Sequence, residues 1–323
     1  MTPTRRTLLA ATPLMALAAC SDGATNTEAP VVVAEPPAQP VGAALVNTSQ
    51  IDLVASGTGR AYRLRIAQPT PPEPDGGRPV LFVLDGDAYF GLATDLCRNL
   101  GGLGREIDEP IVAAIGYPDE DPNAWHSKRA LDYTPTAPAP DNPMLGFTDP
   151  SDYGGLSGFL DMIEQDALPA LERVGVVPSK LAVFGHSFGA LAVMTALIER
   201  PALFGGLIAV SPTVYYNNDA MLDALDTLQA RLEATDASPR VHVSVGALES
   251  TFDPNTLPPA MHEARKAWMV REAMVEKARR LADTLEGLPG LASDFMVVPD
   301  ETHVGAPYAA LPHALRFVLP PQR

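Results

Sequence analysis

From residue 44 onward the apolar positions of this chain switch repeatedly between a period of two and a period near 3.6. Segments 44–55 and 61–67 alternate apolar with polar residues and carry β-branched side chains, which predicts two leading antiparallel strands. The run 79–84 is continuously apolar and stops at Asp85-Gly86-Asp87, as expected of a strand buried on both faces of a parallel sheet. Runs 111–115, 180–184, 207–210, 241–245 and 294–298 have the same character. Helical spacing fills the intervals at 88–100, 155–174, 188–200, 218–234, 260–286 and 307–318. Strands alternating with helices predict an α/β protein with a mostly parallel central sheet and helices on both faces. Only 118–153 breaks the rhythm. It is rich in Pro, Asp and Asn with little periodicity, and a connection that long inside a compact domain predicts a wall or lid of a site. One domain is expected over residues 42–323.

The chain ahead of that domain reads as an address. Arg5-Arg6 followed by Leu8 and Leu9 resembles a twin-arginine export signal, and Leu17-Ala18-Ala19-Cys20 resembles a lipobox. The apolar stretch 7–19 is too short for a stable membrane-spanning helix. Residues 1–19 are therefore expected to be an export signal, Cys20 the lipidated N-terminus, and 20–41, rich in Ala, Pro, Thr and Glu, a tether that cannot pack. These features predict an exported protein of the bacterial cell envelope, membrane-anchored through its lipid and facing the periplasm, or else soluble there.

Composition narrows the chemistry. With 46% hydrophobic residues the chain can bury a substantial core, and 33 prolines and 25 glycines suit many short elements joined by turns. The net charge of −16 excludes a nucleic-acid partner, which would need a basic surface. Loss of Arg5 and Arg6 with the signal makes the remainder more acidic still. Of two cysteines, Cys20 belongs to the lipobox, so Cys97 has no disulfide partner and reads as a small buried hydrophobe. The histidines are scattered without metal-ligand spacing, and neither a metal nor a cofactor is expected.

The segment Phe184-Gly185-His186-Ser187-Phe188-Gly189-Ala190 follows an apolar strand and opens a helix. That context distinguishes a nucleophile elbow from a chance Gly-x-Ser-x-Gly, and makes Ser187 the candidate nucleophile. A serine hydroxyl needs a base, which in this arrangement lies downstream after an acid. Among His242, His262, His303 and His313, only His303 falls on a loop just past the last strand, so it is the expected base. Glu249, three residues beyond the run 241–245, is the expected acid, with Asp253 or a plain Ser/His dyad as alternatives. Asp300 and Glu301 are expected to be loop solvation. An oxyanion would be held by the backbone N–H of Phe188 and by those of Gly86 or Asp87, at the start of the helix after 79–84.

Several segments together resemble one family: Pro79 to Tyr89, Ala114-Ile115-Gly116-Tyr117-Pro118, Arg129-Ala130-Leu131-Asp132-Tyr133-Thr134-Pro135, the elbow, and Glu301-Thr302-His303. They are similar to the esterase branch of the α/β-hydrolase fold, and within it to the trilactone-siderophore hydrolases that open enterobactin and its glucosylated form. The resemblance implies ester hydrolysis, a small-molecule ester as substrate, Ser187 and His303 at the catalytic positions, and Arg129 near the substrate, with Trp125 and Tyr89 beside it. Arg129 reads equally well as a structural ion pair with Asp132 or another carboxylate. Acyl transfer within the same branch, and a lipoprotein that only binds a ligand in a relic cleft, remain the alternatives.

Overall fold

The computed structural model describes residues 44–69, 76–118, 124–138, 149–255 and 258–321. The signal, the tether and Cys20 lie outside the described residues. Eight strands form one sheet in the order β1-β2-β4-β3-β5-β6-β7-β8. They are β1 Thr48–Val54, β2 Ala61–Ala67, β3 Arg78–Val83, β4 Ile111–Gly116, β5 Pro178–His186, β6 Gly206–Val210, β7 Arg240–Gly246 and β8 Ala292–Val298. β1 and β2 pair antiparallel, β2 meets β4 antiparallel, and every later neighbour is parallel. This is the α/β-hydrolase architecture. Each predicted strand is present; the first is shorter than expected, because Asn47 turns the chain with φ 52° just before it.

The helices are α1 Gly86–Cys97, α2 Ala124–Tyr133, α3 Leu156–Met162, α4 Leu168–Arg173, α5 Phe188–Glu199, α6 Ala220–Ala224, α7 Leu228–Thr235, α8 His262–Glu272, α9 Met274–Glu286 and α10 Ala306–Val318. The side-chain alternation of β3 divides the core between the two faces. Val80 and Phe82 join the α3–α5 side, whereas Leu81 and Val83 join α1 and α10. α5 is buried along almost its whole length, as befits a helix apolar on every side. Cys97 is buried against α1's neighbours, and burial pushes its thiol well above the ordinary value.

Three departures from the expected helices have local causes. The helix expected over 155–174 is interrupted by a wide turn at Ile163–Ala167, next to Pro169, which has no N–H to donate. That expected over 260–286 breaks at Ala273, which takes a left-handed φ of 41° and leaves Met274 and Ala278 of α9 packed on Val245. The third is α2, which lies inside the stretch expected to lack periodicity. Its residues Arg129, Asp132 and Tyr133 find their polar partners on other elements, Arg129 and Tyr133 at Asp85 and Asp132 at Arg60, Tyr62 and Tyr117, so no apolar stripe forms and hydrophobic periodicity does not reveal the helix.

Candidate active site

β5 ends at His186 and α5 begins at Phe188, leaving Ser187 to make the whole reversal with φ 59° and ψ −117°. A non-glycine residue held there is strained and persists only because its surroundings fix it. Its N–H donates to Val210 O at 3.0 Å, and its carbonyl accepts from Leu191 N–H at 3.0 Å. Gly185 is required by packing, since a Cβ there would overlap the Gly189 carbonyl. Gly189 is less constrained; its nearest contact would be Asp85 Oδ2 at 3.4 Å.

The turns after β6, β7 and β8 converge at the same edge of the sheet. Gly246, at the end of β7, packs so closely on the loop after β8 that a Cβ would lie 2.5 Å from the Glu301 carbonyl. Leu248 N–H also donates to that carbonyl at 2.9 Å. The two turns are thus joined through their backbones, and His303 Nδ1 sits 2.6 Å from Glu249 Oε2. Glu249 is buried; its Oε1 accepts from Ser211 Oγ at 2.5 Å and from Gly246 N–H at 2.7 Å. Three donors therefore hold this carboxylate with both oxygens engaged. The His303 side chain is 41% exposed, so the imidazole is braced on one side and open on the other.

His186 links this group to the elbow. Its Nε2 donates to the His303 carbonyl at 2.8 Å, while its Nδ1 accepts from Tyr89 Oη at 2.9 Å, and the two histidine rings lie 4.5 Å apart. Burial, the neighbouring His303 and Arg129 depress the His186 pKa to about 3, which keeps the ring neutral and in this donor–acceptor arrangement. Ser211 and His186 escaped the sequence reading. Each had a positional signal: Ser211 directly follows the 207–210 run at the edge where the other turns meet, and His186 is the variable residue of the elbow.

The carboxylate bonded to the His303 ring is that of Glu249. Asp253 accepts from Asn255 N at 2.8 Å and Asn255 Nδ2 at 2.9 Å within its own loop, Asp300 is exposed, and Glu301 contributes its carbonyl to the turn. His242 is buried and bonds Asp294 Oδ2 at 2.6 Å, the oxygen that His313 Nε2 also approaches at 2.9 Å. The sequence spacing concealed this His–Asp–His grouping, whose ligand-type atoms lie within 4.8 Å of one another. His242 Nε2 is buried without a partner among the described residues. A ring proton on Nδ1 serves the hydrogen bond to Asp294.

On the other side of Ser187, Asp85 takes a left-handed φ of 52° and caps α1. Its carbonyl accepts from Ala88 N–H and Tyr89 N–H at 2.9 and 3.1 Å, which leaves the Gly86 and Asp87 N–H groups of that turn without a backbone acceptor among the described residues. Gly86 is needed for close approach to β4, where a Cβ would lie 2.8 Å from the Ile115 carbonyl. The Asp87 carboxylate is engaged by Arg65 at 2.7 Å and by Tyr117 N–H at 3.2 Å.

The residues expected beside the substrate have defined partners in the fold. Arg129 forms a bidentate pair with Asp85, Nε to Oδ1 at 2.8 Å and Nη2 to Oδ2 at 2.9 Å. Asp132 is instead shared by Arg60, Tyr62 Oη and Tyr117 Oη at 3.0, 3.0 and 2.9 Å. Tyr89 is buried with its hydroxyl committed to His186, so it braces the site from beneath. Trp125 is half-buried, and its indole N–H has no partner among the described residues.

The profile of the family described as "Putative esterase" matches residues 55–284. The chain is 29% identical to the ferri-bacillibactin esterase BesA of Bacillus subtilis over 81% of this chain and 86% of that protein. It is 30% identical to a siderophore triacetylfusarinine C esterase of Aspergillus fumigatus over 77% of this chain and 85% of the relative. Among solved structures, the BES protein of Bacillus cereus superposes with a TM-score of 0.74 at 26% identity, covering 87% of this chain and 99% of that one.

Proposed function

Since this chain belongs to the esterase family and is a carboxylic-ester hydrolase, we propose that it cleaves its substrate through an acyl-enzyme at Ser187, with His303 as general base and Glu249 as the orienting acid. The observation that carries this reading is the 2.6 Å contact between His303 and a buried, three-donor Glu249 at the sheet edge that also presents the strained Ser187. Ser187 Oγ attacks the ester carbonyl as His303 takes its proton. Glu249 holds the ring with its Nδ1 proton inward and stabilises the imidazolium that forms. The oxyanion accepts from Phe188 N–H and from Gly86 or Asp87 N–H, donors already fixed at two helix starts. His303 then returns the proton to the departing alcohol, and water, activated in the same way, releases the acid.

The names of the relatives, esterases of ferri-bacillibactin and of triacetylfusarinine C, support a siderophore ester as the substrate class. Trp125, with its unpaired buried indole N–H beside Arg129, is assigned to the substrate-binding wall. The reading also puts the enzyme at the cell envelope, on the strength of Arg5-Arg6 and the segment ending in Cys20. Incubation of the wild-type chain with a serine-directed phosphonate, followed by peptide mass spectrometry, should find the adduct on Ser187. An adduct elsewhere, or none, rejects the mechanism. Fractionation of cells making the full-length chain or its Cys20→Ala form tests the location, because equal mass and equal partition of the two would exclude lipidation.

A further inference from the structure

The assignment of Phe188, Gly86 and Asp87 as oxyanion donors leaves open what holds the two halves of that site at a fixed separation, since they belong to different helices following different strands. α2 meets both. Trp125, Arg129 and Tyr133 are spaced four apart and so share one face of that helix. The Arg129 guanidinium lies within 5.1, 5.4 and 5.6 Å of the Trp125, Tyr133 and Phe188 ring centroids. Its Nε and Nη2 are both on the Asp85 carboxylate. Tyr133 Oη accepts from Asp85 N–H at 2.9 Å. Every polar group of Asp85 is therefore fixed, its carbonyl by α1 and the rest by α2, at a residue whose backbone is left-handed and immediately precedes Gly86 and Asp87.

We propose that Arg129 is a positioning residue that sets the distance between the two oxyanion donors, gripping the Asp85 turn by a bidentate ion pair and the Phe188 side by stacking. The proposal rests on the catalytic reading above and assigns Arg129 a role other than substrate contact. Its side chain is 12% exposed and that of Asp85 only 2%, so Asp85 cannot be a substrate ligand. A buried pair of this kind gives little net stability over apolar residues of the same shape, whereas its forked geometry defines position closely. Lysine would not replace it, because a single ammonium neither spans both carboxylate oxygens nor stacks among three rings.

The test uses p-nitrophenyl acetate, a neutral ester with no acidic group for Arg129 to recognise, alongside a trilactone siderophore. Arg129→Lys, Arg129→Met and Asp85→Asn are compared with wild type for kcat, KM, the affinity of a trifluoromethyl ketone that places an oxyanion in the site, and the rate of phosphonate labelling at Ser187. Displaced donors should lower kcat on the small ester by about 100-fold in Arg129→Met and by about 10-fold in Arg129→Lys and Asp85→Asn, with KM little changed. Ketone affinity and labelling rate should fall in parallel with kcat. Circular dichroism identifies any variant that fails to fold, and the milder Asp85→Asn and Arg129→Lys then decide the matter. Folded variants with unchanged kcat on the small ester overturn the proposal, as does a loss confined to KM on the siderophore, which would make Arg129 a substrate contact. Neither result touches the nucleophile assignment, which fails only if wild-type Ser187 is not labelled.

Discussion

Among the described residues, two histidine–carboxylate contacts share one length, His303 Nδ1 to Glu249 and His242 Nδ1 to Asp294, each at 2.6 Å. Their surroundings differ in every respect that matters for catalysis. His303 lies on a loop beyond the strand ends, 41% exposed, adjoining the strained elbow through His186. His242 lies within β7, fully buried, with its partner in β8 and a second histidine on the same carboxylate oxygen. Both carboxylates favour an Nδ1-protonated ring, but only His303 has a side left open to meet a hydroxyl. On the proposed mechanism the contact itself does not make a base; its place relative to the strand ends does.

The largest effect that separates the two groups should come from Ser187→Ala and His303→Ala. Each should lower kcat by about five to six orders of magnitude and leave the thermal midpoint nearly unchanged, because nucleophile and base act as one unit. Activity within tenfold of wild type in either would remove the distinction drawn between the groups. Glu249→Ala should lose about 10- to 100-fold less than these, as orienting the ring is a smaller contribution than accepting the proton. Asp253→Ala should turn over normally, and a greater loss there than at Glu249 would reassign the acid.

Asp294→Asn should do the reverse of Glu249→Ala. It should leave kcat on a small ester within about twofold and lower stability by about 1–3 kcal/mol, measured by urea denaturation, since it disturbs a buried hydrogen bond without touching the site. A large fall in kcat would mean that the second grouping communicates with the first.

The smallest effect concerns pH. His186 has a folded pKa of about 3 against an ordinary 6.5, so between those values the unfolded chain binds a proton that the folded chain refuses. Its contribution is complete above pH 6.5 and is lost as pH falls towards 3, by at most ~1.4 kcal/mol per pH unit. Buried His242, also depressed by desolvation, acts in the same direction. Asp132, pushed up to about 6 by burial, opposes both between pH 6 and 3.8. His186→Gln should therefore flatten the decline of stability from pH 6.5 to 4.5 while leaving the other two contributions in place. Unchanged slopes in urea midpoints across that range would show that His186 titrates normally in the fold.

How much of this was legible beforehand depends on what kind of signal each residue leaves. Ser187, His303 and Glu249 stand in fixed relation to strand ends, and strand ends are visible as the limits of apolar runs. α2 was not legible because its buried face is built from Trp125, Arg129, Asp132 and Tyr133, which look like a solvent-exposed pattern until their partners are known. For Tyr89 and Arg129 a polar group in a suspected site can face the substrate or a neighbour, and chain order does not show that their neighbours are His186 and Asp85.

The sequence alone thus determined the alternation of strand and helix, the elbow, and the loops that carry the candidate nucleophile, base and acid, because backbone periodicity and turn chemistry are local properties. Only the tertiary structure decided that Glu249 and not Asp253 meets His303, that Arg129 pairs with Asp85 across 44 residues of chain, and that His186 ties the base loop to the elbow. These are choices among chemically equivalent partners. They are settled by which turns the sheet order brings together and by the need of each buried polar group to find an acceptor or donor there.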